Sequence, residues 1–400
     1  MPAPLALYGG FPVRSTLLPY SRPSLSPEAG AAIEEVLRSD WLTTGPRVAA
    51  FEERFAMFVH AKEAVAVSSG TSALHAAMFA LGIGPGDEVI VPTMTFVATA
   101  NAVVYQGGTP VLVDCDPETL LVDPARVEAA ITPRTKAIVT VDYAGQPCAY
   151  GELRTLAHRQ HLPIVADACH ALGGSYRGEN VGSIADMSTF SFHAVKPLAT
   201  GEGGMITTND ASFARRMRRF RNHGIEGDHR ERQERGSWYY EMIDLGNNYR
   251  LTDLQCALGL TELPRIPAET ARRQEIAGRY DQAFAPLREI VAPLVVRPEV
   301  SHAYHLYVVR LRPGALSAPR AEIFRALRAE NIGVNVHYIP VHLHPFYRKR
   351  FGTKEGMFPV AEQAYEEILS LPLFAGMTDS DATDVIEAVM KVIAYYRKTA

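Results

Sequence analysis

Two residue types are scarce in this chain. Its 400 residues include four cysteines, Cys115, Cys148, Cys169 and Cys256, and seven lysines. No two cysteines form a Cys-x-x-Cys pair and no histidine lies at finger-like spacing, so neither a metal site nor a disulfide framework is expected. No charge of one sign dominates. Charged residues make up 21% and the net charge is -4, which argues against nucleic acid as a partner. The one basic run, Arg215-Arg216-Met217-Arg218-Arg219-Phe220-Arg221, has helix-like spacing and reads as a solvated helix face. No apolar run approaches the ~18 residues needed to span a bilayer. The segment Met1–Gly10 lacks a basic start followed by an apolar stretch, so no signal peptide is expected. These absences point to a cytoplasmic protein with reduced thiols and no membrane partner.

Hydrophobic residues are plentiful, at 47%. The length exceeds the ~100–200 residues of one ordinary domain, so two are expected. Strand-like runs at Ala64–Val67, Glu88–Val91, Val111–Val113, Ala137–Val141 and Pro163–Ala166 alternate with helical periodicity at Ser72–Leu81, Thr95–Tyr105, Pro124–Ala130 and Gly151–Arg159. That alternation predicts an α/β fold with a mainly parallel sheet covered on both faces. Met205–Thr208 reads as a further strand and Ala211–Arg221 as a helix, while the mixed stretch Ile225–Tyr240 reads as a long loop. Helices follow at Leu251–Glu262 and Glu269–Ala285. A second unit then alternates again, with strands at His305–Leu311 and Val334–Val336 and helices at Arg320–Glu330 and Asp381–Tyr396. The expected division is an N-terminal arm and large domain over residues 1–265, and a small C-terminal α/β domain over 266–400.

Four motifs carry chemistry. Ser68-Ser69-Gly70-Thr71-Ser72 joins a strand-like run to a helix, where free N–H groups and the helix dipole suit a phosphate; an ordinary N-cap is the other reading. Pro163-Ile164-Val165-Ala166-Asp167 is an apolar strand ending in a carboxylate, where parallel sheets place ligands. Asp167 there suits a pyridinium nitrogen or, more plainly, a helix cap. Lys196, in Ser191-Phe192-His193-Ala194-Val195-Lys196-Pro197, sits in apolar surroundings before Thr200-Gly201-Glu202-Gly203-Gly204. Desolvation of such an amine makes it a better nucleophile toward an aldehyde. A lysine reaching out from a strand end would leave the glycines unexplained. Gly246-Asn247-Asn248-Tyr249-Arg250-Leu251-Thr252-Asp253 reads as a turn and helix cap.

Together and in this order, the motifs resemble the DegT/DnrJ/EryC1/StrS family of aminotransferases over nearly the whole chain. The resemblance implies the aspartate-aminotransferase-like fold (fold type I of the pyridoxal-phosphate enzymes) and a homodimer that builds each active site from two subunits. Lys196 would carry pyridoxal 5'-phosphate through a Schiff base and move protons, the cofactor passing through pyridoxamine 5'-phosphate. Asp167 would pair with the pyridine nitrogen, His170 would reach the ring hydroxyl, and Phe96 would stack on the ring. Gly70, Thr71 and Ser191 would hold the phosphate, joined by Asn248 of the partner subunit. Within the family, Val141–Gly145, Ser191–Pro197, Val336–Tyr338 and Asp40–Gly45 resemble the members acting in pseudaminic acid synthesis. By that resemblance Tyr20, Trp41, Leu42, Thr43, His337 and Tyr338 would line a sugar-nucleotide pocket. The turn after Lys196 resembles that of C4 aminotransferases more than that of C3 enzymes. The implied reaction moves an amino group from L-glutamate to the C4 ketone of a nucleotide-linked, UDP-type, 4-keto-6-deoxy sugar. Alternatives on the same fold are a C3 aminotransferase, a dehydratase with histidine in place of the lysine, and a non-catalytic regulator. Lys196 argues against the dehydratase, and Lys196, Asp167 and the phosphate loop argue against the regulator.

Overall fold

The main sheet grows from short apolar strands buried on both faces: β1 Glu63–Val67, β2 Glu88–Pro92, β3 Thr109–Val113, β4 Thr135–Val141, β5 Ile164–Asp167, β6 Met187–Ser191 and β7 Gly204–Thr208. Near-continuous burial of this kind marks a sheet covered by helices. In this computed structural model, which describes residues 4–226 and 236–398, the order is β1-β7-β6-β5-β4-β2-β3. The five strands β3, β2, β4, β5 and β6 pair in parallel, and β7 runs antiparallel between β6 and β1. A three-stranded antiparallel sheet follows, from β8 Val291–Pro293, β9 Tyr307–Leu311 and β10 Ile368–Leu371.

The helices that matter to the site are α1 Gly70–Leu81, α2 Val97–Tyr105, α3 Ala211–Arg221, α4 Asp253–Glu262, α5 Ile266–Phe284, α6 Arg320–Ala329 and α7 Asp379–Tyr396. Helix α1 starts where Ser69 caps it, its hydroxyl accepting from Ser72 N at 3.1 Å, and stops at Gly82 in the left-handed region. Helix α4 carries a capping box of Thr252 and Gln255. Helices α5, α6 and α7 pack on the second sheet. Leu5 and Leu18 of the N-terminal arm are buried in that same core, far from their sequence neighbours.

Two expectations change. The basic run on α3 is not a solvated face. Arg221 pairs with Glu52 and bonds Ala66 O at 2.7 Å, Arg218 reaches Glu63 at 2.9 Å, and Arg219 pairs with Asp244. Arg216 bonds Phe79 O at 3.2 Å. These arginines tie α3 to the sheet and its neighbours, which their spacing alone did not reveal. The strand expected at Val334–Val336 is reduced to one bridge between Asn335 and Ser370. Of the expected loop Ile225–Tyr240, residues 227–235 lie outside the described residues; Ile225 bridges Met242, and Trp238, Tyr239 and Tyr240 are exposed.

Candidate active site

The carboxyl ends of the parallel strands gather the candidate residues at one edge of the sheet, where open α/β sheets take ligands. β5 ends on Asp167 and β6 on Ser191, while β1 leads into Ser68 and the start of α1. Because β7 is reversed, its first residue, Gly204, sits at this same edge, opposite both Val67 and Ser191. A side chain at Gly204 would run into the Ser69 carbonyl, so glycine is required for α1 to begin here. A Cβ on Gly70 would lie 2.8 Å from the Ser191 Cβ and 3.2 Å from the Cys169 sulfur. Its absence lets the first turn of α1 press against Ser191. The Gly70 and Thr71 N–H groups, in that first turn, have no acceptor within the helix.

Asp167 is 7% exposed. One carboxylate oxygen accepts from the Thr99 hydroxyl at 2.7 Å, and the other accepts from the Cys169 N–H at 3.3 Å. The Thr99 hydroxyl in turn lies 2.8 Å from that of Thr95. The extended residue Phe96 precedes α2, and its ring is 54% exposed while tilting toward Tyr338, centroids 5.7 Å apart.

His170 follows on the turn after β5. Its Nδ1 accepts from the Ala144 N–H at 3.3 Å, so the proton belongs on Nε2, which donates to the Tyr338 hydroxyl at 2.9 Å. Burial, with Lys196 and His337 nearby, holds the His170 pKa well below the ordinary histidine value, so the ring is neutral. Tyr338 continues the cluster: His337 donates or accepts at Ser370 Oγ, 2.8 Å away, its carbonyl accepts from the Tyr143 hydroxyl, and its ring packs 5.4 Å from Tyr20. Burial lowers the His337 pKa to about 4 and raises that of Tyr20.

Lys196 is half-buried on the loop between β6 and β7. That loop closes through Phe192 N to Gly203 O at 2.8 Å, Thr200 N to Phe192 O at 2.9 Å and the Thr200 hydroxyl to Glu202 O at 2.8 Å. Desolvation lowers the Lys196 pKa, with Cys169 and Asp167 opposing the shift, so the neutral amine is reached at lower pH than for a free lysine.

Residues 23–390 match the profile of the DegT/DnrJ/EryC1/StrS aminotransferase family. The chain belongs to this family. It is 46% identical over 382 residues to the spore coat polysaccharide biosynthesis protein SpsC of Bacillus subtilis, covering 95% of this chain and 98% of SpsC. Among solved structures, it superposes with a TM-score of 0.89 on Spr1654 of Streptococcus pneumoniae, described as a sugar aminotransferase, in its PMP form. That match is 34% identical and covers 94% of this chain and 99% of the other. The aminotransferase PseC of Helicobacter pylori, involved in the biosynthesis of pseudoaminic acid, superposes with a TM-score of 0.88 at 32% identity, covering 95% and 100%. The fold is that of the fold type I aminotransferases, and the protein is a pyridoxal-phosphate-dependent enzyme of this sugar aminotransferase family.

The residues at the sheet edge fit that cofactor. A bare helix N-terminus beside Ser191 suits its phosphate, the Asp167 carboxylate its pyridine nitrogen, the exposed Phe96 its ring and the Lys196 amine its aldehyde. Phe96, Asp167, His170, Tyr338, His337 and Tyr20 form one continuous cluster. Among the described residues, Trp41, Leu42 and Thr43 do not join it. They sit against α4, where Asp253 N donates to Leu42 O at 3.0 Å and the buried Asp253 carboxylate accepts from Gly45 N at 2.7 Å and Arg47 N at 2.9 Å. Asn248 is likewise apart: it is exposed, bridges Asn222, and its side chain makes no hydrogen bond among the described residues.

Sequence reading gave Thr99, Tyr143 and Asp142 no role, although Val141–Gly145 was among the stretches that carried the resemblance. Thr99 stands four residues after Thr95 on the helix that leaves β2, a spacing that puts both hydroxyls on one face. Asp142 is fully buried, accepting from Cys148 N at 2.9 Å and from the Tyr150 hydroxyl at 2.9 Å, and burial pushes its pKa up to about 7. It shapes the turn that presents Ala144 N–H to His170. The signal for it was the carboxylate one residue beyond a buried strand, the same signal read for Asp167.

Proposed function

We propose that this enzyme transfers an amino group from L-glutamate to the C4 ketone of a nucleotide-linked, UDP-type, 4-keto-6-deoxy sugar. The observation that carries the reading is the pairing, at one sheet edge, of a desolvated lysine with a buried carboxylate held by Thr99. Pyridoxal phosphate, when bound, supplies an electron sink for the carbon that loses or gains a proton. The chain's own residues do the rest. Lys196 Nζ takes the proton from the donor's α-carbon and later delivers one to the sugar carbon. Asp167 holds a proton on the pyridine nitrogen by its negative charge. His170 would turn its Nε2–H from the Tyr338 hydroxyl, which it bonds in this structure, to the ring hydroxyl, Phe96 would cover the ring, and Gly70, Thr71 and Ser191 would hold the phosphate. Tyr20, Trp41, Leu42, Thr43, His337 and Tyr338 line the sugar-nucleotide side.

In this reading the working unit is a homodimer. Asn248, whose side chain makes no hydrogen bond among the described residues, completes the phosphate site of the partner subunit, and Trp41–Thr43 likewise serve the partner's pocket. Exposed Trp238, Met242 and Leu245, at 85%, 65% and 83%, supply apolar surface for that contact. The division into residues 1–265 and 266–400 and a cytoplasmic location belong to the same proposal; no helix among the described residues is long and apolar enough to cross a membrane. The test is a panel of 4-keto and 3-keto sugar nucleotides incubated with glutamate, with products read by mass spectrometry and NMR. Amination at C4 of a UDP-linked sugar is expected; amination at C3 overturns the position, and no amination of any member overturns the substrate class.

A further inference from the structure

A narrow cavity, with about 20 Å³ of room for water-sized groups, opens against the Lys196 loop from the side of the N-terminal arm. Its lining includes Lys196, His305, Arg273, Glu269 and Arg22.

The charges in the cavity do not balance evenly. Glu269 lies between Arg265, at 3.0 Å, and Arg273, at 3.8 Å, and Arg265 also pairs with Glu262 at 2.6 Å. Those two arginines and two glutamates neutralise one another. Arg22 stands outside the set: it is exposed at the cavity's mouth and has no ion pair or hydrogen bond among the described residues. Its segment is nonetheless fastened. The Ser21 hydroxyl bonds Val195 O at 3.2 Å, one residue before Lys196. Arg265 donates to Ser24 O at 2.9 Å and Ser24 Oγ at 3.1 Å, and Leu373 N donates to Tyr20 O at 3.1 Å. A cation free of partners is therefore carried on a backbone pinned directly to the lysine loop. His305, only 6% exposed and without a hydrogen bond to its ring among the described residues, adds an open polar edge to the same cavity.

We propose that Arg22 is the specificity residue for the amino donor, receiving a carboxylate of an amino acid beside Lys196. The proposal rests on the reading above that the donor is an amino acid such as glutamate. A guanidinium forms paired, charge-assisted bonds to a carboxylate, and lysine cannot reproduce that fork.

The experiment follows the first half-reaction by cofactor absorbance, with no sugar present, in the wild-type holoenzyme, Arg22→Ala and Arg22→Lys. Binding of maleate, an unreactive dicarboxylate, is titrated in parallel by its effect on the same spectrum. Loss of one charge-assisted pair should raise the half-saturating glutamate concentration on the order of tenfold to a hundredfold in Arg22→Ala, with partial recovery in Arg22→Lys. Maleate binding should weaken alongside it, and the KM for the sugar nucleotide should stay unchanged. Unaltered glutamate and maleate binding in Arg22→Ala overturns the proposal. A raised sugar-nucleotide KM with glutamate untouched also overturns it, assigning Arg22 to the diphosphate. If the wild type binds maleate through Arg22 yet no amino acid drives the half-reaction, the donor reading fails while the carboxylate site stands.

Discussion

Replacing Thr99 by valine removes one hydroxyl and almost no volume. In the wild type that hydroxyl donates to Asp167 at 2.7 Å, in a place where the carboxylate is 7% exposed and also accepts the longer bond from Cys169 N. A hydrogen bond to a charged group contributes about 1.5–3 kcal/mol, and a buried acceptor left short of a donor costs a similar amount. Thr99→Val should therefore lower folding stability by about 1–3 kcal/mol. If Asp167 works through its charge and position, the rate of the glutamate half-reaction should fall on the order of tenfold to a hundredfold, since 1.4 kcal/mol is a factor of ten. Thr99→Ser keeps the hydroxyl and should keep most of the rate while losing some packing. The assay is stopped-flow absorbance of the holoenzyme with saturating glutamate, alongside denaturant melts. A Thr99→Val enzyme with wild-type rate would refute the reasoning, because the Thr99 bond would then not be what holds Asp167 for catalysis.

Other outcomes follow from the same geometry. Asp167→Asn should lower turnover by several orders of magnitude, on the order of 10³ or more, because an amide does not hold a proton on the ring nitrogen; steady-state kinetics would detect it, and near-normal turnover would make Asp167 a mere turn residue. Mixing inactive Lys196→Ala subunits with inactive Asn248→Ala subunits should restore activity, since a mixed dimer contains one site with both residues; continued inactivity of a proven heterodimer would contradict shared sites. Acid should destabilise the fold from the ordinary histidine pKa, about 6.5, downward. His302 and His337 have pKa values pushed down to about 3 and about 4, and His170 and His305 are also well below the ordinary value, all chiefly by burial. The unfolded chain then binds protons that the folded chain refuses, so stability rises with pH across that window and is lost as pH falls. Each such group contributes a slope of up to about 1.4 kcal/mol per pH unit. Melting temperatures compared between pH 7.5 and 5.5 would check it, and a flat profile would count against neutral buried histidines.

Local signals were legible where one segment decided its own structure. Glu88–Pro92 and Ile164–Asp167 announce buried strands by composition, and Ser69 with Gly70 announces a helix start. Asp167 and Lys196 stood out because a carboxylate at a strand end and an isolated lysine among apolar residues are unusual in themselves. What the chain hides is long-range. Met187–Ser191 is polar, yet it is an inner strand because the Thr189 hydroxyl bonds Ala166 O at 3.2 Å on the neighbouring strand and so satisfies itself without water. Arg218 and Arg221 look like solvent residues until Glu52 and Glu63, more than 150 positions earlier, appear beside them. Leu5 and Leu18 carry no sign that their core lies in the last third of the chain. The grouping of Tyr20 with His337, and the separation of both from Trp41, were likewise matters of tertiary packing, which periodicity does not encode.

The central claim is that Lys196 carries the cofactor. Reduction of the holoenzyme with borohydride fixes any imine between protein and cofactor, and peptide mass spectrometry then reads the modified residue. The account predicts a pyridoxyl group on the peptide containing Lys196, no such group after prior conversion of the enzyme with glutamate, and none in Lys196→Ala. A pyridoxyl group on any of the other six lysines, with Lys196 unmodified, would contradict it.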